Sequence, residues 1–214
     1  MKKLYFIAML SAVIASQSLR AQKNKEDKTQ FSVVLGLNQP IVTHGFNVEV
    51  NYWMKKIVFD YSHGFGLQFT GNLVSEDAKS QQLNFNIKHS LGVGFGYRIT
   101  KSLNLRLEPK LHIWEMYYRD KFKSEEGKIT SYKTYTLGLG AYYRWLPFAK
   151  SESFIRGITI SPSVRWWPNI ATSLENNKLN YFNQRTGRNE VHKANNIGVS
   201  NSPFFANVSI GYTF

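Results

Sequence analysis

Apolar and polar residues alternate one by one along eight separate stretches of this chain, and few folds accommodate that pattern. Phe31, Val33, Leu35 and Leu37 are apolar, with smaller or polar residues between them. The same period runs through residues 44–54, 57–69, 83–99, 103–118, 132–145, 154–167 and 203–214. Successive side chains of a β-strand point to opposite faces, so a period of two marks a strand with one apolar and one polar face. No run has the period of a helix. The connections alternate in length: 54–57, 99–103 and 145–154 are short, whereas 71–82, 119–131 and 168–202 are longer and polar, with 38–43 a shorter member of that set. The pattern predicts an all-β fold, an eight-stranded antiparallel up-and-down barrel.

Such a barrel is either water-soluble, with its apolar face inward, or membrane-embedded, with its apolar face outward. The even-numbered runs decide between the two. They end Val50, Tyr52, Met54; Phe95, Tyr97, Ile99; Ala141, Tyr143, Trp145; and Ile210, Tyr212, Phe214, each set on one face. A tyrosine thus recurs at one height on the apolar face of four alternate strands. Its apolar body and polar tip suit a lipid–water boundary. Tyr52, Tyr97, Tyr143 and Tyr212 are therefore expected to form an outward girdle at the end with the short turns, in a transmembrane β-barrel. Two hairpins also repeat: residues 91–98 match 137–144, and 107–111 with Trp114 match 160–164 with Trp167. Proline has no ladder donor, so Pro109 and Pro162 are expected at bulges.

The first residues read as an export signal. Lys2 and Lys3 precede an apolar stretch over 4–15 and a short polar segment ending in Ala21. About 12 apolar residues fall short of the roughly 20 a spanning helix needs. The expected organisation is a signal peptide over 1–21, a polar tail over 22–29 and an outer-membrane β-barrel over 30–214. No other segment is apolar enough to span as a helix. There is no cysteine, so neither disulfides nor thiolate metal sites are available. The formal charge is +13, or +10 once Lys2, Lys3 and Arg20 are set aside with the leader. Nucleic acid is not an expected partner, because the chain is exported and the longest basic run beyond the leader is Lys55-Lys56.

The chain resembles the small outer-membrane β-barrel proteins of Gram-negative envelopes. The strand from Phe204 to Phe214, closing on a phenylalanine, carries the most specific part of that resemblance. It implies residence in the cell outer membrane, contact with outer-membrane lipid, and recognition of that strand by the barrel-insertion machinery.

With the tyrosines facing lipid, the opposite parity faces the lumen. That set holds Glu49, Asp60, Lys88, Arg98, Arg106, Glu108, Lys110, Arg144 and Arg165. Buried charges must pair and hydrogen-bond. Glu108 is expected to meet at least one of Lys88, Arg98 and Arg144. Gly92, Gly94, Gly96, Gly138 and Gly140 share the inward parity and leave room for these long side chains. Near the outer mouth, His112, Trp114, Arg165 and Trp167 face inward as well. They either cap a polar plug or form a pocket for an apolar or anionic ligand by stacking and charge pairing.

Catalytic and metal motifs are absent. His63 and His89 share the lipid-facing parity on neighbouring strands, and they lie opposite each other if Phe69 pairs with Leu83. Lipid A deacylase barrels carry an outward histidine and serine two apart, but here Leu91 and Phe65 follow His89 and His63, and Ser62 and Ser90 take the other face. Palmitoyltransferase barrels begin with an amphipathic helix, and residues 22–29 have no apolar stripe. No catalytic residue, cofactor or metal is expected. The preferred reading is a non-enzymatic outer-membrane barrel with an envelope-structural or loop-mediated binding role. A conduit or binding site for a small apolar or anionic molecule comes second, and a lipid-modifying enzyme third. The 168–202 connection, with its nine asparagines, is the place for an extracellular ligand and has residues enough for an extra hairpin.

Overall fold

The computed structural model describes residues 29–214. The expected signal peptide and all of the tail but Thr29 lie outside the described residues. Eight strands form the barrel: β1 (Gln30–Gly36), β2 (Phe46–Met54), β3 (Ile57–Phe69), β4 (Leu83–Arg98), β5 (Leu103–Tyr118), β6 (Lys128–Tyr143), β7 (Ile158–Trp166) and, last in the chain, β11 (Phe204–Thr213). Each pairs antiparallel with its neighbour in sequence order, and β11 pairs with both β7 and β1, so the ring closes and every barrel strand is paired on both sides over at least part of its length. Three short segments, β8 (Asn169–Thr172), β9 (Lys178–Asn183) and β10 (Arg188–Lys193), lie in the 168–202 connection. There β8 continues the pairing with β6 beyond Pro168, and β9 and β10 form the extra hairpin. Two short helices, α1 (Asn38–Val42) and α2 (Glu76–Ser80), sit in the β1–β2 and β3–β4 connections.

Pro109 and Pro162 are not at bulges. Each takes its place in register, opposite Leu137 and Val208 respectively. The irregularities in register fall elsewhere, and one of them is at Lys88. Ile87 pairs with Trp114 and His89 with Ile113, which leaves Lys88 as one extra residue on β4. Gly66 is skipped beside it on β3 and has φ +66, a left-handed conformation that glycine adopts without steric cost. An extra residue reverses the side-chain parity. Below this level Ser62, Gly64, Ser90 and Gly92 face the lumen; above it Leu67, Phe69, Leu83, Phe85 and Ile87 do.

The barrel is therefore inverted along its height. In its lower part Phe59, Val93, Phe95, Leu107, Leu139 and Ile210 are exposed on the outside, and the inside is polar. In its upper part the inside is an apolar core built on Phe69, Phe85, Trp114, Met116 and Tyr132. Outside that core stand Glu115, Lys128 and Lys133. On β5 and β6 the inversion is written directly in the residues; on β3 and β4 it needs the bulge. The lower part is made for lipid and the upper part for water. Ile197, Leu174 and Leu179 of the long connection join the upper core, so that connection packs as part of a folded head.

Candidate functional site

The polar lumen is a packed network. The guanidinium of Arg106 donates through Nη1 to Glu49 (2.8 Å), Asn51 (2.6 Å) and Asp60 (3.2 Å), and through Nε to Asn104 (2.7 Å). Arg165 Nη2 lies 3.5 Å from the other oxygen of Glu49, and its Nε donates to Ser163. Lys110 Nζ donates to Ser62 at 2.7 Å and stands 3.6 Å from Glu108. Tyr142 donates to Glu108 at 2.6 Å. Its ring lies between the two guanidiniums, with the Arg106 and Arg165 carbons 3.9 and 4.6 Å from its centroid. Three carboxylates and three cations thus balance in a water-poor interior, where an unpaired charge is very costly. Side chains at Gly92 and Gly94 would overlap Lys110 and Asp60, so these glycines set the room available to the network.

The remaining expected members lie apart. Lys88 is exposed at the bulge and takes no place in the lumen. Arg98 closes the lower end by donating to the carbonyls of Lys55 and Lys101. Arg144 donates to Gln30 at 2.7 Å. Neither reaches Glu108, whose partners are Tyr142 and Lys110. The reason is position along the strand: Arg98 and Arg144 are at the bottom turns, and the ladder on β5 places Glu108 higher. Both instead flank Trp53, an inward indole 4.3 Å from the Arg144 guanidinium and 5.8 Å from that of Arg98. Sequence reasoning passed over Trp53 and Tyr142. Their parity was legible as inward, but parity does not show that an inward ring stacks on guanidiniums, since that depends on the heights of Arg106, Arg144 and Arg165 on other strands.

At the other end of the network the four mouth residues divide. His112 and Trp114 are almost completely enclosed. His112 hydrogen-bonds Ser90 (2.9 Å) and Thr136 (3.1 Å), and Trp114 donates to Thr134 (2.9 Å) and stacks on Tyr132. The Ser90–His112 contact ends on a threonine hydroxyl where a hydrolytic triad would have a carboxylate. Arg165 and Trp167 line a cavity of about 380 Å³. Lys110 Nζ sits 4.2 Å from the Trp167 ring centroid, which stacks in turn on Phe205.

On the outer surface Tyr52, Tyr97 and Tyr143 are exposed on the lower part, and Tyr212 donates its hydroxyl to the Phe154 carbonyl. Phe69 pairs with Phe85 and not with Leu83, so His63 lies opposite Leu91 and His89 opposite Phe65. The two imidazoles meet diagonally all the same, Nε2 to Nδ1 at 3.2 Å. No group of three metal-ligating side chains forms among the described residues.

The head is closed by the β9–β10 hairpin. Asn183 donates to the Gln81 carbonyl and to Glu190, and His192 stacks on Phe85 with ring centroids 4.9 Å apart. Neither nitrogen of His192 has a partner among the described residues, and burial pushes its pKa down to about 4 against an opposing pull from Asp77. Asp120 takes a bidentate grip from Arg185, which holds its carboxyl below the usual range.

An apolar outer wall, a charge-balanced lumen and a water-facing head define a small transmembrane β-barrel of the outer-membrane kind. Two solved structures show a similar course of chain. One is Ail, the attachment invasion locus protein of Yersinia pestis, in complex with the heparin analogue sucrose octasulfate: 14% identity over 87% of this chain and 99% of that one, with a TM-score of 0.43. The other is Ail by itself, at 12% identity over 87% and 96%, with a TM-score of 0.38. The closed ring of strand pairs in this chain, and not these distant likenesses, defines its architecture. No family model and no curated protein matches the chain.

Proposed function

We propose that this protein is a non-enzymatic, non-conducting barrel that anchors a folded head at the outer face of the outer membrane, where the head acts in binding. The observation that carries this reading is the filled lumen. Arg106, Glu108, Tyr142 and Arg165 are each at most 2% exposed and bridge the barrel from wall to wall. Eight strands leave an interior just wide enough for side chains, and these side chains occupy it. The head supports the binding role, because its hairpin and its loops rest on an apolar core and hold a defined surface. Its partners are then outer-membrane lipid, the barrel-insertion machinery acting on β11, and an extracellular ligand at residues 168–202. The test is to reconstitute the full barrel in planar bilayers beside a variant lacking residues 176–195. Both are expected to insert, to show heat-modifiable gel migration and to remain electrically silent. Stepwise ion conductance by the intact barrel would refute the plug, and failure of the deletion variant to insert would show that the loop serves the fold.

A further inference from the structure

The wall of the barrel is incomplete at one place. β1 pairs with β11 only from Ser32↔Thr213 to Gly36↔Ser209. β11 nevertheless continues up to Phe204, and Phe204, Phe205 and Ala206 pair with β7 alone. On the other side β2 pairs with β1 as far as Val48 and continues to Phe46. A strand is therefore missing between the tops of β2 and β11. The single turn of α1 spans the gap, tied to β11 by Asn38 Nδ2, which donates to the Ala206 carbonyl at 2.6 Å. Phe204 stands eight positions above Tyr212. That is about 20 Å of climb for a tilted strand, near the outer edge of the ~25 Å apolar band.

The 380 Å³ cavity lies behind this gap, and its size is that of a small-ligand site. Its two ends differ in chemistry. The rim at the gap is apolar and exposed, with Val42 39% and Phe204 62% accessible, and Leu67, Phe69 and Phe205 continue the apolar wall inward. The floor is formed by Lys110 and Arg165. No acidic residue lines the cavity among the described residues, and Glu49 and Glu108 meet these cations from the lumen side. Gln39 of α1 also lines it.

We propose that this cavity binds one single-chain amphiphile with an anionic head, admitted sideways from the outer leaflet through the gap at α1. The head lies against Lys110 and Arg165, and the chain runs along Leu67 and Phe69 and leaves past Phe204. Carboxylate and phosphate monoester heads share this chemistry, so a free fatty acid and a lysophospholipid-type lipid are both sources of it.

The test uses the full barrel in phospholipid nanodiscs with cis-parinarate as a fluorescent probe, displaced by dodecanoate, dodecyl phosphate or dodecanol. Parinarate is expected to bind one per barrel. One of the two anionic competitors is expected to displace it at a concentration about tenfold or more below dodecanol, and which one it is identifies the source. Replacing Lys110 leaves Glu108 without its cation, so the decisive variant is Leu67→Trp, which fills the apolar wall and touches no charge; heat-modifiable migration checks its fold. It is expected to lose probe binding. Displacement by dodecanol as effective as by both anions, or unchanged parinarate binding by a folded Leu67→Trp barrel, overturns the proposal.

Discussion

Replacing Arg106 by methionine tests whether the lumen network locks the barrel. The substitution keeps an unbranched apolar stem of similar length and removes the charge. Two carboxylates lose a partner, but unequally. Glu49 retains Arg165 at 3.5 Å, whereas the only ion pair of Asp60 among the described residues is with Arg106. Oδ1 of Asp60 has no hydrogen-bond partner among the described residues, so none of them is at hand as a second donor to take over. Breaking one side of a buried pair costs about 3–5 kcal/mol, because the remaining charge stays desolvated. Most of that cost is assigned here to Asp60. Adding Asp60→Asn to the methionine variant removes the orphaned charge and is expected to restore about 2 kcal/mol, the size of coupling seen between contacting residues. The assay is equilibrium urea unfolding in lipid vesicles, followed by tryptophan fluorescence, on wild type, both single variants and the double. A loss below about 1 kcal/mol in Arg106→Met, or a double variant no more stable than that single one, would refute the reasoning.

Lys88 supplies the converse case. It is the exposed extra residue of the bulge, so Lys88→Gln is expected to change stability by less than about 0.5 kcal/mol in the same assay, and a loss several times larger would mean that it belongs to the lumen network after all. His192 makes docking of the β9–β10 hairpin depend on pH. Its imidazole is held neutral with a pKa near 4 when docked and returns to about 6.5 when the hairpin opens, so the open form binds more protons between those values. Docking is therefore strongest above about pH 6.5 and weakens as the pH falls toward 4, by up to about 3 kcal/mol. Amide hydrogen exchange over residues 178–193, corrected for intrinsic rates, reads this directly; protection that is flat with pH, or a pH dependence that survives His192→Phe, contradicts it.

Alternation alone was enough to place all eight barrel strands, with starts and ends close to those observed. It also set which face of each lower strand meets lipid, because a period of two leaves a strand only two ways to point and the tyrosines choose between them. The ion network was legible to the same extent. Glu49, Asp60, Arg106, Glu108 and Lys110 come together in the lumen because they share the inward parity on β2, β3 and β5, with the inward glycines of β4 between. Their pairing was not legible, since height within the barrel depends on the register of each hairpin, and a long loop leaves that register open. The same freedom shifted His63 and His89 by two residues from the expected opposition.

What only the tertiary structure decided lies above the bulge. One extra residue at Lys88, beside Gly66, turns Leu83, Phe85 and Ile87 from the outside to the inside and converts a membrane wall into the shell of a water-facing core. A strict count of odd and even positions cannot register such a change, because a bulge is recognised by the mismatch between two paired strands and not within either one. The gap beside α1 is of the same kind. It exists because β1 is shorter than both of its neighbours, and that difference acquires meaning only when the chain's first and last strands meet to close the ring.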